Sequence, residues 1–173
     1  MSDTPQLSVV VPVHNEEDNV APLVGEIVAA LRGHVDFEIV YVDDTSKDAT
    51  LQRLRDLQAT TPELRVIRHL GNAGQSTAVR NWVKAARAPW IATLDGDGQN
   101  DPADIPKLLA QRGAATADTK LFAGWRVNRQ DSGSKRWASK FANGIRSRML
   151  RDATPDTGCG IKLFEREAFL DLP

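Results

Sequence analysis

Trp90-Ile91-Ala92-Thr93-Leu94-Asp95-Gly96-Asp97-Gly98-Gln99 reads as a short buried strand running into an acidic turn, and two earlier stretches repeat that pattern. Leu7 to Val13 leads into His14-Asn15-Glu16-Glu17, and Phe37 to Val42 leads into Asp43-Asp44-Thr45-Ser46. Strand-length apolar runs that end in polar clusters and alternate with longer amphipathic stretches are the signature of βαβ units with a mostly parallel sheet flanked by helices. Five strands are expected, at residues 7–13, 37–42, 64–69, 90–94 and 120–124, with helices near 17–31, 47–60, 73–86 and 102–111. Asp48, Asn72 and Asp101 stand where N-caps are expected, and Pro102 suits a first helical position. Beyond residue 125 the alternation fails. A polar loop (127–134), a basic helix (about 135–150), a turn (154–160) and a last short element follow.

The chain has 173 residues, 41% of them hydrophobic and 26% charged, which predicts one domain spanning residues 1–173. Its 22 basic and 23 acidic residues nearly cancel, so overall charge gives no case for a nucleic-acid partner. The single cysteine, Cys159, excludes an internal disulfide framework and a CxxC metal site, and suits a reducing compartment. Met1 to Pro5 lacks a basic start followed by a long apolar run, and no stretch approaches bilayer length. The expectation is a cytoplasmic protein whose membrane contact, if any, is peripheral.

In an open parallel sheet, ligands gather beyond the carboxyl ends of the strands. Asp95 and Asp97, separated by one glycine, can face one point while Gly96 lets a ligand approach the backbone, and Gln99 adds a neutral oxygen. That set suits a hard divalent cation, Mg²⁺ or Mn²⁺, with positions left for diphosphate oxygens. The alternative is a solvated turn in which Asp and Gly satisfy only local geometry. Asp43 and Asp44 can accept from a ribose hydroxyl or a base N–H, or can serve turns and caps together with Ser46 and Asp48. Glu16 reads either as a ligand-facing acceptor or as a first-turn acid favoured by the helix dipole. His34 and His69 have no partner spacing that suggests a metal site. No GxGxxG follows the first strand and no GxxxxGK[ST] occurs, which disfavours a dinucleotide oxidoreductase and a P-loop phosphotransferase. A structural module sharing only the fold is the remaining competitor.

Taken in order, Val10-Val11-Pro12-Val13-His14-Asn15-Glu16-Glu17, Val42-Asp43-Asp44-Thr45-Ser46-Lys47-Asp48-Ala49-Thr50, Asn72-Ala73-Gly74 and Asp95-Gly96-Asp97-Gly98-Gln99-Asn100 resemble the motifs of family-2 glycosyltransferases. Within that family the chain is most similar to the dolichyl-phosphate and polyprenyl-phosphate sugar transferases. Gly124-Trp125-Arg126, Lys135-Arg136-Trp137-Ala138-Ser139-Lys140 and Asp156-Thr157-Gly158-Cys159-Gly160-Ile161-Lys162 resemble that subgroup's acceptor-side segments. The resemblance implies a Rossmann-like GT-A fold, with residues 1–125 handling the nucleotide sugar and 126–173 the acceptor. It places Pro12, His14, Glu16, Val42 and Asp44 in the nucleoside pocket, with Asp95 and Gly96 continuing it towards the diphosphate. Asp95, Asp97 and Gln99 would hold the divalent cation, and Arg126, Arg136 and Ser139 the acceptor's phosphate. Asp95, Asp97 and Arg126 would carry catalysis, by inverting displacement of a nucleoside diphosphate by a polyprenyl phosphate at the membrane surface. Two guanidinium groups and a hydroxyl suit a phosphate monoester. His14 stands where relatives usually carry tyrosine, and Thr45 where they carry glycine. Relatives of this kind continue beyond the equivalent of Pro173 with a further basic motif, so the resemblance also implies a chain that stops short of it, either a transferase or a nucleotide-sugar-binding domain without turnover.

Overall fold

The computed structural model describes residues 4–69, 75–124 and 160–172, with residues 75–78 as backbone only. Strands β1 (Leu7–Val13), β2 (Phe37–Asp43), β3 (Leu64–Arg68) and β4 (Trp90–Thr93) fall where the apolar runs predict them. Helices α1 (Val20–Leu31), α2 (Thr50–Gln58) and α3 (Gln75–Ala85) connect them. A 3₁₀ turn (Pro102–Asp104) then leads into α4 (Ile105–Ala114), followed by β5 (Leu121–Ala123), β6 (Lys162–Glu165) and α5 (Arg166–Leu170).

The sheet has six strands in the order β3-β2-β1-β4-β6-β5. β1 pairs in parallel with β2, from Leu7 opposite Phe37 to Val13 opposite Asp43, and on its other edge with β4, from Leu7 opposite Trp90 to Val10 opposite Thr93. The chain steps outward through β2 and β3 and then returns to the far side of β1, so the point where strand order reverses lies between β1 and β4. In open parallel sheets the ligand crevice lies at such a point, beyond the carboxyl ends of the strands.

Strands buried on both faces read as continuous apolar runs, which is why these four were recognisable. Val9, Val11 and Val13 face a core built with Leu23, Ile27 and Leu54 of α1 and α2, while Val10 faces a second core with Val79, Trp82 and Val83 of α3 and Phe169 of α5. Each such side chain, fully buried, contributes about 1.5–3 kcal/mol before conformational entropy is counted.

Two expectations are corrected. The last short element is a strand, β6, and it lies antiparallel between β4 and β5, so the fifth predicted strand reaches the sheet only through it. Four residues carry too little pattern to announce a strand, and the pairing that makes one is long-range. The first two helices also begin three residues later than expected, at Val20 and Thr50, because the preceding loops are bonded to each other. The Asn15 N–H donates to Ser46 Oγ (2.9 Å), the Glu16 N–H to Thr50 Oγ1 (2.8 Å) and the Glu17 N–H to Asp48 Oδ2 (3.3 Å). In return the Lys47 N–H donates to Asn15 Oδ1 (2.8 Å) and the Ala49 N–H to Glu17 Oε2 (3.1 Å). Backbone donors that a helix start would leave without an intrahelical acceptor are thus used across the loops.

Asp101 does cap its helix, accepting from the Ala103 N–H at 2.9 Å with Pro102 following. Asn72 and the basic segment 135–150 lie outside the described residues. Among the described residues no helix is long and apolar enough to cross a membrane.

Candidate active site

The crevice is bounded by the loops after β1, β2 and β4. Gly96 holds the first and last of these together: a Cβ there would overlap Val13 Cγ1 and come within 2.8 Å of the Pro12 carbonyl oxygen. Only glycine lets the Asp95-Gly96-Asp97 turn lie directly on the end of β1. Asp97 Oδ1 accepts from the Gln99 N–H (3.1 Å), which fixes the turn, and Gln99 itself is exposed.

Asp95 is seated from two sides. Asn100 Nδ2 donates to Asp95 Oδ2 (3.0 Å), and a Cβ on Gly160 would overlap that carboxylate and meet Asn100 Nδ2 at 2.6 Å. The Thr93 hydroxyl donates to the Gly160 carbonyl (2.9 Å), tying the start of the β6 segment to the end of β4. Asn100, Gly160 and Thr93 were given no role from the sequence. Asn100 stands in the acidic motif but reads as an ordinary turn residue, and nothing local connects Gly160 to Asp95.

Glu16 lies close enough to the acidic turn to feel it. Burial pushes its carboxyl above the ordinary range, the Asn19 side-chain N–H (2.6 Å to Oε2) pulls it down, and the charges of Asp97 and Asp48 push it up again. Glu16 is therefore a partly buried acceptor in a surplus of negative charge. Its carbonyl also accepts from the Asn19 and Val20 N–H groups (3.0 and 3.2 Å) at the entry to α1.

His14 and Asp44 meet across the crevice, with His14 Nδ1 2.7 Å from the Asp44 carbonyl oxygen and Nε2 3.1 Å from Asn15 Nδ2. A carbonyl only accepts, so Nδ1 carries the hydrogen. In the Asp-rich loop the capping and ligand readings separate by residue. Asp48 is the turn residue, accepting from the Thr50 N–H (3.0 Å) and the Glu17 N–H, while Asp43 Oδ1 accepts from the Ser46 N–H (3.1 Å). The Asp44 carboxylate faces His69, with Oδ1 3.4 Å from His69 Nδ1, and is 34% exposed. Asp43 is fully buried, its Oδ2 has no hydrogen-bond partner among the described residues, and the Arg68 guanidinium lies 3.5 Å away.

Val42 is fully buried in the core beneath α3, where its side chain takes part in the packing. Pro12 is also buried, immediately under Gly96. Arg126, Arg136 and Ser139 lie outside the described residues, as do Gly74, Trp125, Trp137 and Cys159.

Two further backbone features mark these loops. Asn15 and Thr45 have φ of 57° and 60°, the left-handed region that favours glycine. Asn tolerates it, whereas a β-branched threonine is strained there, and Thr45 Oγ1 donates to the Asp44 carbonyl (2.6 Å).

Among the described residues no group of three or more His, Cys, Asp or Glu side chains is placed to hold a metal by itself. The crevice offers the Asp95 and Asp97 carboxylates, with Glu16 adjoining.

Comparisons with known proteins identify the family and the fold. The model of the family described as "Glycosyl transferase family 2" matches residues 8–172. The dodecaprenyl-phosphate galacturonate synthase of Rhizobium johnstonii is 38% identical over 162 residues, 92% of this chain and 47% of that protein. An undecaprenyl-phosphate 4-deoxy-4-formamido-L-arabinose transferase of Pseudomonas fluorescens is 36% identical over 163 residues, with the same shares covered. The chain thus spans about half the length of the curated relatives it matches. Among solved structures, a mannosyltransferase from Pyrobaculum calidifontis in complex with GDP-Man and Mn²⁺ superposes with a TM-score of 0.67 at 21% identity, covering 96% of this chain and 46% of that one. Glucosyl-3-phosphoglycerate synthase from Mycobacterium tuberculosis in complex with UDP gives 0.63 at 20%, covering 94% and 57%. These likenesses identify the fold as that of GT-A glycosyltransferases, and this chain belongs to glycosyl transferase family 2.

Proposed function

We propose that this chain binds a nucleoside diphosphate sugar in the crevice between β1 and β4 and directs the sugar to a polyprenyl phosphate. The observation that carries the reading is the seating of the Asp95-Gly96-Asp97 turn on the end of β1, which gathers acidic groups from three strand ends at the reversal point of the sheet. Family membership and the polyprenyl-phosphate transferases among the relatives support the acceptor class.

In this reading Pro12, His14, Glu16 and Asp44 hold the nucleoside, with Asp44 accepting from a ribose hydroxyl or a base N–H. Asp95 and Asp97, with Gln99 beside them, are the residues that would hold a Mg²⁺ or Mn²⁺ ion, a hard cation suited to oxygen ligands. Such an ion supplies Lewis-acid neutralisation of the departing diphosphate. Asn100 and Gly160 keep the Asp95 carboxylate in one orientation, so that little reorganisation accompanies the reaction. Arg126, Arg136 and Ser139 bind the acceptor phosphate and aim its oxygen at the anomeric carbon. That oxygen is anionic at neutral pH, so attack needs no strong general base and inverts the anomeric centre. The domain works at the cytoplasmic face of the membrane, where a polyprenyl phosphate presents its head group.

The test is calorimetric titration of the chain with UDP, GDP and their sugars, with and without Mn²⁺, followed by a transfer assay to a short polyprenyl phosphate. Metal-dependent binding of one nucleotide series is expected, and Asp97→Ala should weaken it by about 100-fold or more. Unchanged metal-dependent binding in that variant would remove Asp97 from the site. Binding without transfer would confine the chain to donor recognition.

A further inference from the structure

His69, at the end of β3, is a histidine that the proposed function leaves unused. Its N–H donates to the Asp43 carbonyl (3.0 Å), which extends the β2–β3 ladder one residue past β3 and fixes the backbone. Its ring is held by Trp82 of α3: the indole Nε1 lies 3.0 Å from His69 Nε2, and the two rings stack at 5.9 Å between centroids with 26° between planes. Indole N–H is only a donor, so His69 Nε2 must be the acceptor and the imidazole hydrogen must sit on Nδ1. Nδ1 lies 3.4 Å from Asp44 Oδ1, an electrostatic contact longer than a hydrogen bond. The His69 side chain is 12% exposed and that of Asp44 34%, so the imidazole is shielded while the carboxylate stays open to the crevice. Asp44 is itself anchored, its N–H donating to the Val13 carbonyl at 2.9 Å.

We infer that His69, with its tautomer set by Trp82, is a positioning residue for nucleotide recognition: it orients the Asp44 carboxylate so that Oδ2 is presented to a ribose hydroxyl or base N–H of the donor. The inference rests on the reading of Asp44 as a nucleoside ligand and adds what selects its orientation. A carboxylate on an open loop samples several rotamers, and an N–H dipole beside one oxygen biases that freedom before the ligand arrives. The neutral imidazole supplies this dipole without cancelling the charge that makes Asp44 a strong acceptor.

The two nitrogens can be separated by amide substitution, because the Asn amide overlays Nδ1 and the Gln amide overlays Nε2. His69→Asn keeps a donor towards Asp44 and gives up the acceptor for Trp82. His69→Gln does the reverse. The dissociation constants of UDP and GDP with Mn²⁺ are measured by calorimetry for the wild-type chain, both variants, Asp44→Asn and the double variant His69→Gln/Asp44→Asn, with a thermal melt of each. Loss of the proposed Asp44–nucleoside hydrogen bond corresponds to roughly a tenfold change for Asp44→Asn, and loss of the weaker orienting contact in His69→Gln should weaken binding by roughly threefold to fivefold. His69→Asn should stay within about twofold of wild type, and the double variant should bind no worse than Asp44→Asn alone. Trp82→Phe, which keeps an aromatic ring but removes the indole N–H, should weaken binding by roughly two- to threefold through loss of the tautomer preference. Equal losses in the Asn and Gln variants that track their melting temperatures would reduce His69 to packing, and additive losses in the double variant would show that it does not act through Asp44. Either result overturns the inference while leaving the proposed function standing. Normal nucleotide binding by Asp44→Asn would remove the role of Asp44 and this inference together, and no binding by the wild-type chain would remove the whole functional reading.

Discussion

Glu38, on β2 at the amino end of the sheet, and Glu16, after β1 at the carboxyl end, are both drawn out of water, and their surroundings treat them in opposite ways. Around Glu38, whose side chain is 2% exposed, donors converge: Ser8 Oγ at 2.6 Å, the Arg87 N–H at 2.7 Å, Arg65 Nη1 at 2.7 Å and Arg87 Nε at 2.9 Å. Burial alone would push its carboxyl up, but these bonds hold it below the ordinary range. Around Glu16 the one side-chain donor among the described residues is Asn19, and burial with the charges of Asp97 and Asp48 outweighs that bond and the smaller opposing effect of His14, leaving it above that range. The amino end is electrostatically complete. The carboxyl end carries a surplus of negative charge, the condition of a surface that a cation and its diphosphate would complete.

The comparison is broken most directly at its closed end. Glu38→Ala should cost about 3 kcal/mol in chemical denaturation, because it leaves Ser8, the Arg87 N–H and two guanidinium groups without their acceptor. Nucleotide affinity of the folded fraction should not move. A parallel loss of affinity would mean that the two ends are not separate.

At the open end the signs reverse. Thr45→Gly should raise stability by about 1 kcal/mol, since it relieves a β-branched residue held at φ 60°. A fall in the denaturation midpoint would show that the Thr45 hydroxyl bond to the Asp44 carbonyl outweighs the strain.

The smallest effect is the most diagnostic. Because the folded state raises Glu16, its contribution to stability is fully present below the ordinary glutamate pKa of about 4.3 and is lost as pH rises through the folded value. Glu16→Gln should therefore be more stable than wild type at pH 7, by less than about 1 kcal/mol after solvent screening, and the gap should close below about pH 4. Glu38 has the opposite dependence, its contribution being present above that pKa and lost as pH falls through its lowered folded value. Melting curves at pH 4 and pH 7 with and without Mn²⁺ and UDP or GDP check this, since bound cation should stabilise wild type more than Glu16→Gln.

How much of this was legible beforehand follows from the range of the interactions involved. β1 to β4 could be read because each is an apolar run covered on both faces, a property of consecutive residues. The acidic strand ends could be read for the same reason, since Glu16, Asp44, Asp95 and Asp97 each follow their strand directly. The starts of α1 and α2 were misplaced because their backbone donors are satisfied by the opposite loop, which neither stretch reveals alone. The nucleoside-pocket place of Val42 comes from the resemblance alone, and alternation along β2 sets its side chain beneath α3. The residues that orient the carboxylates were the least legible. Gly160 reaches Asp95 from β6, and His69 gains its direction from Trp82 on another element.

The antiparallel insertion of β6 beside β5 has a consequence for how such a protein can diversify. The Gly124 N–H donates to the Ile161 carbonyl at 3.0 Å, so the chain leaves the sheet and re-enters it at adjacent points of one ladder, next to the seat of Asp95. Whatever sequence stands between those two points closes a loop whose ends are already joined, and the entropic penalty of lengthening it grows only slowly. The intervening segment can therefore be exchanged as a cassette without re-registering the strands. Under the proposed function, one donor platform could in this way accommodate different sequences between β5 and β6 while the sheet remains unchanged.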